Sequence, residues 1–257
     1  MTRRHTFLQL TFLLPAVLLL TGASALAQQE ENPTGPAAGR ALAAELCAMA
    51  PAENTNWHGT LKILGRDKKV PPVPVLCQTT TGDTNWSVMY LASSTEASGS
   101  EKLTVLHFAD GPNQYLYARA AAPGAPLEEP KRLSGAEADV PLAGSDFWLS
   151  DLGFEFYHWP EQRRLKGEMH RSRPCYVLES INPLPTSGGY SRVVTWVEKE
   201  SGAPIQAEAY GADNKLMKEF WLGSFKKVNG RYELKDMKIN NSKTKSRTQL
   251  VFDLESK

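Results

Sequence analysis

The spacing of hydrophobic positions divides the chain into a helical start and a long β-rich remainder. Residues 37–50 place Leu42, Leu46 and Met49 three and four positions apart, which predicts a helix with one apolar face that ends before Pro51. After this proline, short segments rich in β-branched and aromatic residues alternate with turns, which predicts strands. The predicted strands are 57–64, 86–92, 103–108, 114–119, 164–171, 174–181, 191–198, 204–210, 216–225, 231–239 and 246–254.

This pattern predicts a mainly β protein with about eleven antiparallel strands in a single domain. Consecutive strands joined by tight turns are usually neighbours, so we expect a barrel or a strongly curved sheet that nearly closes. Residues 70–75 contain three prolines, which lack an amide donor, and are therefore expected to form a loop or an edge strand. Residues 144–152 are apolar and predict a short helix, with Ser145 as its N-cap and Asp146 in its first turn.

The N-terminus has the organisation of a secretory signal peptide. Residues 1–27 combine Arg3 and Arg4, an apolar stretch over 7–20, and small residues before a cleavage site after position 27. A membrane anchor is the alternative, but the apolar stretch is shorter than the ~20 residues of a membrane span. We then expect residues 28–36 to form a flexible mature N-terminus and residues 37–257 to form the folded domain. We expect export across the inner membrane, and a protein that is soluble after signal removal.

Composition and motifs argue against several classes of function. The 257 residues carry a formal net charge of +1, so nothing in the overall charge suggests nucleic acid as a partner. No metal-binding, nucleotide-binding or nucleophile motif is found, so we expect no enzyme, no cofactor and no metal. Asp146 and Asp151 are five positions apart, which does not place them on one helical face. Cys47, Cys77 and Cys175 could be buried thiols, or two of them could pair in an oxidising compartment.

Two further features could serve binding. Arg163, Arg164, Lys166, Arg171 and Arg173 form a basic strip, which is either a solvated sheet face or a patch for a lipid headgroup or a partner. The tryptophans are spread over the predicted strands and the short helix. They would fill the interior of a small barrel, or line a cavity in a barrel that is not completely filled.

The stretch from Gly144-Ser145-Asp146-Phe147 to Leu152 resembles a turn-helix motif of outer-membrane lipoprotein-sorting proteins, the LolA-like family. The strands around 175–179 and 190–197, and the helix at 37–50 followed by 57–61, are similar to that family's pattern. The resemblance implies an incompletely closed antiparallel β-barrel with an N-terminal helix and a short lid helix over an apolar cavity. It also implies a periplasmic carrier of lipid or of lipoprotein acyl chains, with residues 144–152 as the lid.

Strand alternation then suggests which strand side chains face the cavity: Val194, Trp196, Ile205, Ala207, Phe220, Leu222, Leu250 and Phe252. Phe147 and Trp148 of the expected lid are further candidates. Core packing is the alternative role for each of them. A carrier would need no catalytic group, and it could exchange its ligand with a membrane-bound loading or receiving protein. The competing interpretation is a non-enzymatic periplasmic sensor or scaffold that binds a protein partner.

Overall fold

The computed structural model describes residues 33–65, 70–93, 99–108, 111–134, 136–222, 225–228 and 231–254. The side chains of residues 222, 225–228 and 231–233 are not part of this description. The predicted signal peptide, residues 1–27, lies outside the described residues, as does 28–32 of the predicted flexible segment. None of the helices among the described residues has the length and hydrophobicity that crossing a membrane requires.

Strands account for most of the regular structure in the described residues. The helices are α1 (Pro36–Cys47) and α2 (Leu149–Leu152), with short 3-10 turns at Ala136–Ala138, Leu142–Gly144 and Glu155–His158. The strands are β1 (Thr55–Leu64), β2 (Val73–Thr81), β3 (Asn85–Ala92), β4 (Glu101–Phe108), β5 (Gly111–Arg119), β6 (Lys131–Leu133), β7 (Glu161–His170), β8 (Arg173–Ile181), β9 (Arg192–Glu198), β10 (Pro204–Tyr210), β11 (Leu216–Leu222), β12 (Phe225–Val228), β13 (Arg231–Leu234), β14 (Asp236–Asn241) and β15 (Ser246–Phe252).

Thirteen of the strands form one antiparallel sheet in the order β6-β5-β4-β3-β2-β1-β15-β14-β11-β10-β9-β8-β7. The first and last strands of the chain are neighbours, with Gly59 opposite Phe252 and Leu61 opposite Leu250. The sheet is not fully closed, and β6 and β7 are its two edges. The prediction of a mainly β, incompletely closed antiparallel barrel with an N-terminal helix is thereby confirmed. The connection from β6 to β7 runs from one edge to the other and contains α2.

Helix α1 packs against the β7 edge. Pro36 occupies the first turn, where its missing amide hydrogen is not needed, and Leu42, Ala43 and Leu46 are buried on one face. Gly39 allows the close approach, because a Cβ there would lie 2.5 Å from the backbone of Arg163. The inner face of the sheet is therefore the face covered by α1 and by the β6–β7 connection.

The prediction that 70–75 cannot lie in a central strand is wrong. Residues 73–75 begin β2, which pairs with both β1 and β3. Pro74 is tolerated because it lies where the β3 ladder ends: the last β2–β3 pair is Val75 with Ala92. Beyond that pair the Pro74 carbonyl accepts a hydrogen bond from the Ser93 amide at 2.9 Å. The missing amide of Pro74 thus interrupts no ladder bond on that side.

The expected count of about eleven strands is too low. Besides β2, the three-residue β6 was not predicted. The predicted strands 216–225 and 231–239 are each divided, because the hairpin β12–β13 leaves the main sheet between β11 and β14. The predicted helix at 144–152 is limited to the four residues of α2. The N-cap is Trp148 and not Ser145, so Asp146 is not in the first turn. The Asp146 carboxylate instead accepts hydrogen bonds from the Ser246 and Thr248 hydroxyls of β15.

Candidate functional site

Residues 142–158, here called the lid segment, cover part of the inner face. The segment contains the second and third 3-10 turns with α2 between them. Its apolar side chains point into the main hydrophobic core, and those buried there are Leu142, Phe147, Leu149, Leu152, Phe156 and Tyr157. The lid segment is thus packed against the sheet in this structure.

A buried ion pair joins the lid segment to β11. Lys218 Nζ lies 3.1 Å from Asp151 Oδ2, and both side chains are about 2% exposed or less. The Asp151 carboxylate also accepts hydrogen bonds from the Trp148 amide at 2.8 Å and the Tyr190 hydroxyl at 3.0 Å. Lys218 Nζ lies 3.6 Å from the centre of the Trp148 ring, which itself stacks on Tyr190. Every side chain of this cluster therefore touches at least one other member.

Burial dominates the electrostatics of this cluster. Desolvation raises the pKa of Asp151, and the nearby Lys218 ammonium opposes that shift. Desolvation likewise lowers the pKa of Lys218, and Asp151 opposes it. Since each charge is buried, each depends on the other for compensation. The pair ties the lid segment to the barrel wall only as long as both partners remain in place.

Further polar contacts hold the two ends of the lid segment. The Ala143 amide donates to Glu101 on β4, and the Asp146 amide donates to Thr248 on β15. At the other end the Tyr115 hydroxyl donates to Glu155 at 2.8 Å. Burial raises the pKa of Glu155 to about 7, which the Tyr115 hydrogen bond only partly offsets. The lid segment is thus anchored to three strands, β4, β5 and β15.

Little space remains beneath the lid segment. The cavity there has a volume of about 30 Å³, which is room for little more than one or two water molecules. Its wall combines lid residues with side chains from β10, β11 and β14. Its apolar and aromatic members are Phe147, Leu152, Phe154, Phe156, Tyr157, Pro204, Ala207, Phe220, Trp221 and Met237. We call this space the lid cavity; in this conformation it is too small to hold an acyl chain.

A much larger cavity lies on the inner face of β1, β2, β3, β14 and β15. Its volume is about 360 Å³, within the ~300–1,000 Å³ typical of small-molecule sites. The walls are predominantly apolar, and their polar side chains include Glu53, Thr55 and Thr79. The other lining residues are Pro51, Ala52, Trp57, Cys77, Trp86, Val88, Tyr90, Leu234, Met237 and Phe252. We call this space the tryptophan cavity, and Met237 is the one described residue that lines both cavities.

The residues expected to line a cavity divide into several groups. Phe147, Ala207 and Phe220 line the lid cavity, and Phe252 lines the tryptophan cavity. Trp148 packs on Lys218 and Tyr190, as described above. Leu250 is 1% exposed in the same inner core but lines neither cavity. The side chain of Leu222 lies outside the described residues.

Val194, Trp196 and Ile205 are placed differently from the expectation. They form a separate cluster with Cys175 and Val177 on the other face of the sheet. In β9 the side chains that reach the main core are those of Val193 and Val197, so the alternation was assigned one residue out of register. In β10 a bulge between Pro204 and Gln206 interrupts the alternation at Ile205.

The five basic residues of the predicted strip lie on the β7–β8 hairpin and do not converge on one surface. Arg163 pairs with Glu179 and Arg173 with Glu198. Arg164 lies over the Tyr176 ring at 3.8 Å, and Arg171 lies 5.5 Å from the Trp221 ring. Lys166 is exposed on the β7 edge strand. Charged residues on such an edge also prevent pairing with other chains, so the hairpin has a structural reason for them.

Some central residues were not singled out from the sequence. Lys218 lies two positions before Phe220, so alternation alone would have placed a lysine on the inward face of β11. Asp151 was considered only as a partner for Asp146. Trp57 and Trp86 were noted as tryptophans but not assigned to a cavity wall. Met237 carried no signal in the sequence, because its importance depends on the two spaces it separates.

Nucleophilic and metal chemistry find little support among the described residues. These residues contain no group of His, Cys, Asp and Glu side chains arranged to hold a metal ion. All three cysteines are free thiols. Cys47 Sγ lies 3.7 Å from the ring nitrogens of His158, but burial raises its pKa to about 11. The thiol is therefore protonated near neutral pH and is not an activated nucleophile.

Residues 83–254 match the model of a protein family that is described only as uncharacterized. The chain belongs to this family. Its fold is LolA-like, as three crystal structures show. A DUF1329 family protein from Desulfovibrio piger has a TM-score of 0.65 at 16% identity, covering 84% of this chain and 90% of its own.

A domain from Vibrio parahaemolyticus that is named for outer membrane lipoprotein sorting has a TM-score of 0.65 at 18% identity, with coverage of 84% and 90%. A LolA superfamily protein from Nitrosomonas europaea has a TM-score of 0.57 at 16% identity, with coverage of 86% and 93%. No curated protein matches this chain in sequence. At these identities the similarity defines the fold.

Proposed function

We propose that this protein is a non-enzymatic periplasmic carrier that binds lipid, or the acyl chains of lipoproteins, in its inner cavity during sorting to the outer membrane. The observation that carries the proposal is the tryptophan cavity, about 360 Å³ of mainly apolar space on the inner face of a LolA-like sheet. One structure of the same fold is named for outer membrane lipoprotein sorting, and this supports lipid or acyl chains as the cargo.

An acyl chain gains most of its binding energy from leaving water. Burial is worth ~0.8 kcal/mol for each CH₂ group, so a dry apolar cavity alone is a sufficient binding device. The aromatic walls at Trp57, Trp86 and Phe252 supply such a surface. The polar residues at the same cavity, Thr55 and Thr79, can accept or donate a hydrogen bond to a carbonyl or headgroup.

The lid segment provides a means of controlling access. It is anchored by buried polar contacts, and the cavity beneath it is nearly filled, so loading or release of a large ligand would require it to move. A membrane-bound loading or receiving protein could supply the energy by competing for these contacts. The predicted signal peptide agrees with a periplasmic site of action.

The experiment that tests the proposal starts with uptake of cis-parinaric acid, a long-chain fatty acid whose fluorescence rises in an apolar pocket. Saturable binding is expected for the wild-type protein. Protein isolated from its own periplasm should also carry an adduct of lipid mass in native mass spectrometry. Clean apo-protein without uptake of the probe would contradict the proposal and favour a sensor or scaffold that binds a protein partner.

The role of the lid can be tested with a reversible cross-link. Asp146→Cys combined with Ser246→Cys replaces a side-chain contact between the lid segment and β15. The oxidised protein is expected to release bound probe much more slowly than the same protein after reduction, which serves as its own control. Equal release rates before and after reduction would exclude the lid segment as the gate.

A further inference from the structure

We infer that Met237 is a length gate: it separates the tryptophan cavity from the lid cavity, and its displacement lets a long acyl chain continue beneath the lid. This inference rests on the proposed function, since it concerns the same cavity and the same class of ligand. The observation behind it is that the Met237 side chain forms part of both cavity walls.

The strand register places Met237 at one end of the tryptophan cavity. Met237 is opposite Leu250, which in turn is opposite Leu61 on β1. At the other end Thr55, six residues before Leu61 on β1, is opposite Thr79 on β2. Six residues of a strand span about 20 Å. The cavity therefore has a long axis that runs from the two threonines to Met237.

The two ends of this axis differ in polarity, which predicts how a chain would lie. Thr55 and Thr79 make one end polar, and the buried Thr55 hydroxyl, which has no hydrogen-bond partner among the described residues, would have to rotate to reach the carbonyl or headgroup of a ligand. The Met237 end is apolar and continues towards Phe220 and Leu152 of the lid cavity. A chain would thus enter with its methyl end towards Met237.

Methionine is well suited to act as a movable partition. Its side chain is unbranched, has three rotatable bonds and adapts to irregular space. Met237 is 8% exposed, so it is held within the core and not free in solvent. The acyl chain of one membrane leaflet is ~15 Å long, half of a ~30 Å hydrocarbon core. Chains of that length fit before Met237, and longer chains meet it.

The test measures chain-length dependence. Saturated fatty acids from octanoate to stearate compete with cis-parinaric acid for the wild-type protein, Met237→Ala and Met237→Phe. Below the limit of the cavity, affinity is expected to rise about fourfold for each added CH₂. Met237→Ala should move the length at which this rise stops to longer chains, and Met237→Phe should move it to shorter ones.

The control is Met217→Ala, which removes a partly buried methionine of β11 that lines neither cavity. It should leave the length limit of the wild-type protein unchanged. If Met237→Ala does not fold, the length limit of Met237→Phe is compared with that of the wild-type protein, and a shift to shorter chains still supports the inference. The same length limit in all variants would overturn the inference while leaving the carrier function intact.

Absence of any fatty-acid binding by the wild-type protein would instead overturn the proposed function, and the inference with it.

Discussion

The inner face of this sheet is filled under the lid segment and unfilled beside Trp57 and Trp86. The lid cavity measures about 30 Å³ and the tryptophan cavity about 360 Å³, although Met237 lies in the wall of both. The filled region is organised by polar contacts, with Lys218 and Asp151 at its centre. The unfilled region is lined by bulky aromatic side chains from several strands, and no lid residue is among those lining it.

The difference shows how one barrel can have a packed lid segment and still offer space for a ligand. Buried polar groups are tolerated only when their partners are in place, so the lid contacts favour one defined arrangement of the segment. Large aromatic side chains on a curved sheet leave space that water does not fill favourably. Space for an apolar ligand therefore exists beside the lid segment while the buried ion pair is intact. The following predictions test this division, beginning with the largest expected effect.

Lys218→Met should be the most damaging change in the filled region. It leaves the Asp151 carboxylate buried without its cation, and the loss of stability is expected to be about 3–5 kcal/mol. Urea unfolding followed by tryptophan fluorescence measures it. The double variant Asp151→Asn with Lys218→Met removes both charges and should recover most of the loss. If the double variant is as unstable as Lys218→Met, the ion pair is not the reason for the effect.

Glu155→Gln should change how stability depends on pH. The pKa of Glu155 is raised from 4.5 to about 7 by burial, so the folded protein holds a proton that the unfolded chain releases between those values. Stability is therefore lost as pH rises through this window, by up to about 3 kcal/mol for this group. Glutamine keeps an acceptor for the Tyr115 hydroxyl but does not ionise.

The measurement for Glu155→Gln is the free energy of unfolding at about pH 4 and about pH 8. The variant is expected to match the wild-type protein at the lower pH and to exceed it at the higher. A stability difference that is the same at both pH values would show that Glu155 is not the group responsible.

Ala207→Leu adds volume to the wall of the lid cavity. Because only about 30 Å³ is free there, the larger side chain must displace its neighbours, and a loss of about 1–3 kcal/mol is expected. The midpoint of thermal unfolding gives the direction of the effect, and urea unfolding gives its size. No loss of stability would mean that the region beneath the lid is less tightly packed than its geometry indicates.

Val88→Leu adds a smaller volume to the wall of the tryptophan cavity and should have the smallest effect on stability. The added methylene can occupy part of the about 360 Å³ that is free, so a change within about 0.5 kcal/mol is expected. The same variant should weaken binding of long-chain fatty acids, because it reduces the space left for them. Unchanged fatty-acid affinity would place the ligand elsewhere.

Much of the fold followed from local patterns in the chain. The helix at 37–50 was predicted from leucine spacing, and most strands from short apolar segments between turns. Pro74 misled the assignment of β2, because the penalty for a missing amide depends on whether a neighbouring strand is still present beside it. A hairpin turn was expected at 229–230, but the separation of β12 and β13 from the main sheet was missed, because nothing in their composition distinguishes them from the strands on either side.

The candidate site was predicted only in part. Phe147, Ala207, Phe220 and Phe252 line the two cavities, and strand alternation was enough to place the last three on the inner face. Val194 and Trp196 were assigned to the wrong face, since a shift of one residue reverses the orientation of a whole strand.

The sequence by itself determined the class of protein: an antiparallel β meander with a helix before it follows from neighbouring residues and their periodicity. The resemblance to the LolA-like family added the arrangement of the barrel and the short apolar segment expected to cover it. The tertiary structure alone decided which buried residues meet: that Lys218 compensates Asp151 across 67 positions of the chain, and that Met237 stands between two cavities of very different volume. The physical reason is that charge compensation and empty space depend on distances between strands that are remote in sequence, and no local pattern encodes those distances.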